Sequence, residues 1–110
     1  MTRKQDSRAE LILFTKQALN SGLLVERKIW RIPKSHKYPE GVKYRLVLVD
    51  PTARVVILLY DNHYPKGPHV HWGQKERPYE YNGLEKLLND FLQESNVEEE
   101  RYNEDKKNTY

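Results

Sequence analysis

The chain contains no cysteine among its 110 residues. Disulfide bonds, thiolate zinc sites and cysteine-based nucleophilic catalysis are therefore excluded. No apolar run approaches the roughly 20 residues that a membrane-spanning helix requires. The N-terminal residues 1–7 are polar and are not followed by the apolar stretch of a secretory signal, so we expect a cytoplasmic protein with no membrane partner.

Several catalytic motifs are also missing from the sequence. There is no glycine-rich phosphate loop of the P-loop or Rossmann type and no Gly-x-Ser-x-Gly turn. Helix-turn-helix and zinc-finger patterns are absent, which argues against direct reading of DNA. A chain of 110 residues has room for one domain with a modest core.

The formal net charge of +3 is unevenly distributed along the chain. Residues 98–110 hold five acidic and three basic side chains, so the positive excess lies upstream of them. The segment 27–43 is the most basic, with six basic side chains opposed by Glu40 alone. Those six are Arg27, Lys28, Arg31, Lys34, Lys37 and Lys43. Because such a cluster attracts polyanions, and Trp30 and Tyr38 lie within it, we expect a nucleic-acid ligand.

The N-terminal part of the sequence predicts a helix. Ser7–Glu10 has the form of a capping box, a hydroxyl side chain followed by glutamate three residues later. Residues at helical spacing follow, and Asn20–Gly22 supplies a stop signal. The residues at helical spacing are Leu11, Phe14, Thr15 and Ala18. This pattern predicts a first helix of about three turns.

The central part of the sequence predicts strands. Three runs are rich in β-branched and aromatic side chains, namely 23–32, 42–49 and 54–60. Asp50–Ala53 has the chemistry of a tight turn, so the second and third runs are expected to form a hairpin.

Shorter extended pieces and a second helix are predicted downstream. His69–Trp72 is expected to form a short strand with both histidines on one face. Residues 78–81 are expected to add a further extended piece. A helix is then predicted from Asn82–Glu85 onward, because leucine and phenylalanine recur at the spacing of one helical face. The residues of that face are Leu84, Leu87, Leu88, Phe91 and Leu92.

These elements predict an α+β fold. We expect a curved antiparallel sheet, made of a three-stranded meander plus short strands, with the N-terminal and the C-terminal helix packed on one face. Residues 1–97 are expected to form this single domain. Residues 98–110, which have almost no apolar side chains, are expected to form a charged flexible tail. The second face of the sheet would then be available to a long ligand.

Residues 61–73 hold three of the four histidines of the chain, His63, His69 and His71. Imidazoles exchange protons near neutral pH, and loops on a rigid scaffold often carry catalytic groups. Cleavage of an RNA phosphodiester requires a base for the 2′-hydroxyl, an acid for the leaving 5′-oxygen and cations for the transition state. The segment and its basic neighbours contain all these residue types.

The sequence therefore favours a metal-independent endoribonuclease that needs no cofactor. His69 and His71 are the acid and base candidates, and His63 or Tyr64 would position the phosphate. The basic side chains expected to bind phosphate or RNA are Lys66, Arg45, Arg77, Lys43 and Arg31.

Two alternatives remain open at this point. One is a metal-dependent nuclease, because imidazole and carboxylate suit zinc, iron or manganese. Its ligands would be Asp61, His63, His69 and His71. The other is a non-catalytic RNA- or protein-binding module, in which aromatic side chains stack on bases or pack on a partner. Those side chains would be Trp30, Tyr38, Tyr64 and Trp72.

Two segments of the chain resemble the TumE family of toxins from toxin–antitoxin systems. They are Lys28–Asp50, which opens Lys-Ile-Trp-Arg-Ile-Pro, and Leu59–Gly73, which contains Asp-Asn-His-Tyr-Pro-Lys-Gly-Pro-His-Val-His. The resemblance spans roughly residues 23–92. The matching motif residues are Tyr44, Arg45, Asp61, His63, Lys66, Gly67, His69 and His71.

The resemblance implies a small prokaryotic toxin. Such a toxin is neutralised by a cognate antitoxin that carries a helix-turn-helix DNA-binding domain. Its activity would be ribonucleolytic, by analogy with other small toxins that cleave messenger RNA. RNA and the antitoxin are therefore the expected partners, and self-association into a homo-oligomer is left open by the sequence.

Overall fold

The computed structural model describes residues 9–107, which form a six-stranded antiparallel sheet and one helix. Each strand pairs with the next one in the chain, so the whole sheet is a meander. The strands are β1 (Glu10–Ala18), β2 (Leu24–Arg31), β3 (Val42–Asp50), β4 (Val55–Asp61), β5 (His69–Trp72) and β6 (Lys75–Pro78), and the helix is α1 (Leu84–Lys107).

The predicted N-terminal helix is wrong, because its residues form β1. This strand pairs antiparallel with β2, with Gln17 opposite Val25. Leu11 and Phe14, the largest side chains at helical spacing, are 44% and 51% exposed, so the spacing does not mark a buried face. Pairing with β2 satisfies the backbone of this segment and overrides its local helical preference. Ser7, the predicted helix cap, lies outside the described residues.

The predicted sheet is also wrong in its make-up. It is not a three-stranded meander with short additions, because β1 extends it at one edge and β5 and β6 extend it at the other. The hairpin of β3 and β4 is confirmed, as is the short strand β5. The last extended piece lies earlier than residues 78–81, since β6 ends at Pro78.

The C-terminal helix packs on one face of the sheet. Leu87 and Phe91 are fully buried, and the Phe91 ring lies edge-on to the Tyr60 ring at 5.5 Å between centroids. Tyr60 and its cross-strand neighbour Leu46 therefore mark the face that α1 covers. In the described range 9–107 no helix combines the length and apolarity that a membrane crossing requires.

The helix continues to Lys107, through most of the segment that was expected to form a tail. The Tyr102 hydroxyl donates a hydrogen bond to Asp50 Oδ2 at 2.7 Å. Asp50 Oδ1 accepts the backbone N–H groups of Thr52 and Ala53 at 3.0 and 3.1 Å in the turn after β3. The last turns of α1 are thereby attached to the end of β3.

The opposite face of the sheet carries polar and charged side chains. Directly paired residues of neighbouring strands share a face. One row across this face runs from Lys28 to Arg45, then to Asp61 and His69. The next row contains Val47, Leu59, His71 and Glu76. We call the face that carries these two rows the distal face.

Candidate functional site

His69 is held in a fixed orientation at the start of β5. The register of β4 and β5 places it opposite Asp61, with 3.3 Å between His69 Nε2 and Asp61 Oδ1. Its Nδ1 lies 2.6 Å from the Gly67 carbonyl oxygen. A carbonyl can only accept a hydrogen bond, so Nδ1 is the donor. His69 is 6% exposed, and both of its ring nitrogens face protein acceptors.

His71 lies next to His69 on the same face, as predicted, but it is more accessible. The two rings are 4.6 Å apart between centroids and nearly perpendicular. The His71 side chain is 33% exposed. Its Nδ1 lies 3.6 Å from Glu76 Oε1, because the hairpin of β5 and β6 places Glu76 directly opposite His71. His71 therefore faces a carboxylate at the surface.

Lys66 completes this group of side chains. Its Nζ lies 2.7 Å from Glu76 Oε2. The hydrogen bond and the positive charge of Lys66 outweigh partial desolvation and lower the pKa of Glu76 below its usual value. The result is an ionised carboxylate with an ammonium on one side and an imidazole on the other.

Two shallow pockets flank Lys66 and His69. One, of about 290 Å³, is lined by Pro68, Glu76, Arg77 and Pro78 as well as these two residues. The other, of about 300 Å³, is lined by the loop after β4, including His63, Tyr64 and Pro65. A ligand bound along this part of the distal face would therefore contact both the loop and the hairpin of β5 and β6.

A buried asparagine fixes the loop after β4. Asn62 is 1% exposed, and its side-chain amide both donates and accepts a hydrogen bond with the backbone at the start of β3. Asn62 Nδ2 donates to the Val42 carbonyl and Oδ1 accepts the Tyr44 N–H, both at 2.9 Å. The next residue, His63, donates its backbone N–H to Asp61 Oδ1 at 3.1 Å. The sequence contained no signal for this role of Asn62.

The loop between β2 and β3 packs against the same region. Tyr64 donates its backbone N–H to the Tyr38 hydroxyl at 3.2 Å. The His36 ring lies edge-on to the Tyr64 ring, with 6.0 Å between centroids, and Lys37 Nζ lies 5.2 Å from the centre of the Tyr64 ring. The basic loop is therefore adjacent to the histidine-bearing loop.

Three basic side chains share the distal face with the histidines, namely Lys28, Lys43 and Arg45. Lys28 lies directly opposite Arg45, an arrangement of like charges that destabilises a sheet. Among residues 9–107 neither forms an ion pair, although Lys28 Nζ lies 5.5 Å from the centre of the Phe14 ring. A bound anion between these side chains would relieve their repulsion.

Two predicted RNA-binding residues, Arg77 and Arg31, are engaged in ion pairs. Arg77 is paired with Val70 and so lies on the face that α1 covers. It forms a two-contact ion pair with Glu94, at 2.8 and 3.3 Å, and its guanidinium lies 4.9 Å from the centre of the Trp72 ring. Arg31 pairs with Glu10 of the edge strand at 2.9 Å.

Glu76 is the functional candidate that sequence reasoning missed. Trp72 pairs with Lys75, so only Gly73 and Gln74 form the turn, and Gly73 has a φ of 61°. A two-residue turn containing glycine is a recognised hairpin signal. Counting from it would have placed Glu76 opposite His71.

The same residues include a potential set of metal ligands. His69, His71 and Glu76 each offer a ligand atom, and these atoms lie within 4.8 Å of one another. Two of the four ligands considered from sequence are in this group. His63 is exposed in the loop, and Asp61, which contacts His69, does not belong to this group.

Comparison with known proteins agrees with the resemblance seen in the sequence. The chain matches the model of a family described as Toxin TumE over residues 2–101. No curated protein and no solved structure matches it. The family match covers nearly the whole of the 110-residue chain, including every residue of the site. The chain therefore belongs to the TumE toxin family.

Proposed function

We propose that this toxin is a metal-independent endoribonuclease of the cytoplasm that cleaves RNA on its distal face. The observation that carries the proposal is the group formed by His71, Glu76 and Lys66. An imidazole and a carboxylate lie 3.6 Å apart, and an ammonium lies 2.7 Å from the same carboxylate. These are a proton donor, a proton acceptor and a cation, the three groups that phosphodiester cleavage requires.

Glu76 acts as the base and His71 as the acid. The carboxylate of Glu76 takes the proton of the 2′-hydroxyl, and that oxygen attacks the adjacent phosphorus. The bond from phosphorus to the 5′-oxygen then breaks, and protonated His71 donates a proton to the departing oxygen. The products are a 2′,3′-cyclic phosphate and a free 5′-hydroxyl. Lys66 stabilises the negative charge that develops on the phosphate oxygens.

His69 supports this reaction as a positioning residue. Both of its nitrogens face protein acceptors, Gly67 and Asp61, so it is less available than His71 to exchange protons with RNA. Its ring packs edge-on against His71 at 4.6 Å and limits the movement of that side chain. His63 and Tyr64 line the adjoining pocket, where they would contact the neighbouring nucleotide.

The basic side chains of the distal face hold the RNA backbone. Lys43 and Arg45 lie on β3, which neighbours β4, and Lys28 lies on β2, one strand further away; neighbouring strands are about 4.8 Å apart. An RNA strand in the histidine site would therefore pass over these cations. Trp30 is paired with Lys43 on the same face and offers a surface on which a base can stack.

Cleavage of a labelled RNA by the purified full-length chain tests this proposal. Wild-type protein should produce new ends in the presence of a chelator, and the 3′ fragments should carry 5′-hydroxyl groups. His71→Ala and Glu76→Gln should each slow cleavage by about 100-fold or more, the usual contribution of a general acid or base. Arg31→Ala is the matched control, since Arg31 lies outside the site.

Two results would contradict the proposal. Binding of RNA without new ends would instead support a non-catalytic RNA-binding module. Cleavage that is lost in chelator and restored by a divalent ion would support the metal-dependent alternative. We also propose that the cognate antitoxin carries a helix-turn-helix DNA-binding domain, and sequencing the neighbouring gene tests this directly.

A further inference from the structure

We propose that His69, His71 and Glu76 bind a divalent transition-metal ion of the zinc type, and that the bound ion blocks RNA cleavage. Two of these three residues are the proposed acid and base, and an imidazole or carboxylate bound to a metal cannot exchange protons with RNA. The binding site stands on the geometry alone, whereas the inhibition rests on the proposed function.

The spacing of the three side chains suits such an ion. Two ligands of a tetrahedral zinc ion, each at about 2.0–2.1 Å, lie about 3.3 Å from one another. His71 Nδ1 and Glu76 Oε1 are 3.6 Å apart, which is close to this separation. All three ligand atoms lie within 4.8 Å of one another, so small side-chain rotations bring them to bonding distance.

The partners of these ligands also fit a metal site. Metal-binding histidines usually donate their other ring N–H to a carbonyl or carboxylate, and ligating carboxylates are hydrogen-bonded in turn. His69 donates from Nδ1 to the Gly67 carbonyl at 2.6 Å, and its Nε2, which lies 3.3 Å from Asp61 Oδ1, would exchange that contact for the ion. Glu76 receives Lys66 on Oε2 at 2.7 Å, which leaves Oε1 to bind it. Both ligands are thus oriented before any ion arrives.

The charge and ligand types select the class of ion. Asp61 and Glu76 bring two negative charges and Lys66 one positive charge, so the group has a net attraction for a cation. Two imidazoles and one carboxylate suit zinc and its neighbours in the first transition row. Magnesium and calcium prefer sites made of oxygen ligands, so they are expected to bind poorly.

Titration of zinc chloride into the metal-free full-length chain, followed by calorimetry, tests the site. Wild-type protein should bind one ion per chain. His71→Ala and Glu76→Gln should each weaken binding by more than about 100-fold, since the loss of an outer partner alone costs 10- to 100-fold. His63→Ala is the matched control and should bind as wild type does, because His63 lies outside the ligand group.

A second readout guards against variants that lose structure. Cobalt(II) bound by wild-type protein should give the visible absorption of a four-coordinate ion, and His71→Ala should lose it while keeping the circular dichroism of the folded protein. The site is disproved if wild-type protein binds zinc no more tightly than His71→Ala, or if His63→Ala loses as much affinity as His71→Ala.

Inhibition is measured separately from binding. Saturating zinc should stop RNA cleavage by the wild-type protein, and a chelator should restore it. Cleavage that continues or increases at saturating zinc overturns the inhibition. If the metal-free protein cleaves no RNA, the proposed function fails, and the calorimetric titration still decides whether the metal site exists.

Discussion

His69 and His71 lie two residues apart on one face of β5, yet their surroundings differ. The His69 side chain is 7% exposed and is engaged at both nitrogens, whereas that of His71 is 33% exposed and faces Glu76. The sequence predicted their shared face correctly. It did not distinguish them, because the groups that do so, the Gly67 carbonyl and Glu76, are placed by a loop and a hairpin.

Substitution of Arg45 is expected to weaken RNA binding without reducing the stability of the fold. Arg45→Gln should weaken RNA binding and reduce its dependence on salt by about one counterion, as loss of a phosphate contact does. The same change removes the repulsion with Lys28, and within residues 9–107 Arg45 forms no ion pair with Asp61 opposite it on β4, so the free energy of unfolding should stay constant or rise by about 0.2–1 kcal/mol. RNA binding measured at a series of salt concentrations tests the first prediction, and urea unfolding tests the second.

Arg31→Gln is the matched control for this prediction. This substitution removes an exposed positive charge that forms an ion pair with Glu10, whereas Arg45 lies opposite the like-charged Lys28. It should change neither the salt dependence of RNA binding nor the stability by more than a few tenths of a kcal/mol. A loss of stability in Arg45→Gln larger than this would contradict the predicted repulsion.

At the level of the elements, the strands β2 to β5 could be read from the sequence and β1 could not. The hairpin of β3 and β4 carries its own turn chemistry at Asp50–Ala53, so local information suffices there. Glu10–Ala18 has a helical spacing and a helix-like start, and only its pairing with the following strand β2 makes it extended. Such pairing is a tertiary effect that overrides local preference.

Attachment of the helix to the sheet is expected to depend on pH through Glu94. Burial raises the pKa of Glu94, but the hydrogen bonds from Arg77 and Tyr60 outweigh it and the net shift is downward. The stabilisation is therefore complete above the unfolded-state pKa near 4.5 and is lost as the pH falls through the lower folded-state value. Glu94→Gln should reduce the loss of stability below pH 4.5.

Urea unfolding at a series of pH values measures this effect. Glu104→Gln, an exposed position on the same helix, is the matched control and should keep the wild-type slope. An unchanged slope in Glu94→Gln would show that other carboxylates account for the acid sensitivity.

At the level of the whole molecule, the core that stabilises the fold and the proposed site of RNA cleavage lie on opposite faces of the sheet. The face under α1 holds most of the core, and the distal face holds the histidine site and the basic side chains Lys28, Lys43 and Arg45. Membership of a toxin family implies a cognate antitoxin.

Tyr102→Phe tests this separation of the two faces. It removes the hydrogen bond to Asp50 and should lower the free energy of unfolding by about 0.5–1.5 kcal/mol, or more because Asp50 is charged. The rate of RNA cleavage at low temperature should stay unchanged, since Tyr102 packs on the other side of the sheet. Parallel measurements of urea unfolding and RNA cleavage decide the matter, and a large loss of cleavage in the folded variant would contradict it.

A gene whose product harms its own cell is under selection for mutations that inactivate the product. The hairpin of β5 and β6 is a place where one small mutation could do so. Side chains alternate between the two faces of a strand. Gain or loss of one codon at Gly73–Gln74 would shift β6 by one residue and turn Glu76 toward the side of α1. The edge strand β6 is four residues long, so the rest of the meander would survive. A single inserted or deleted codon would thus remove the proposed base from the site without unfolding the domain.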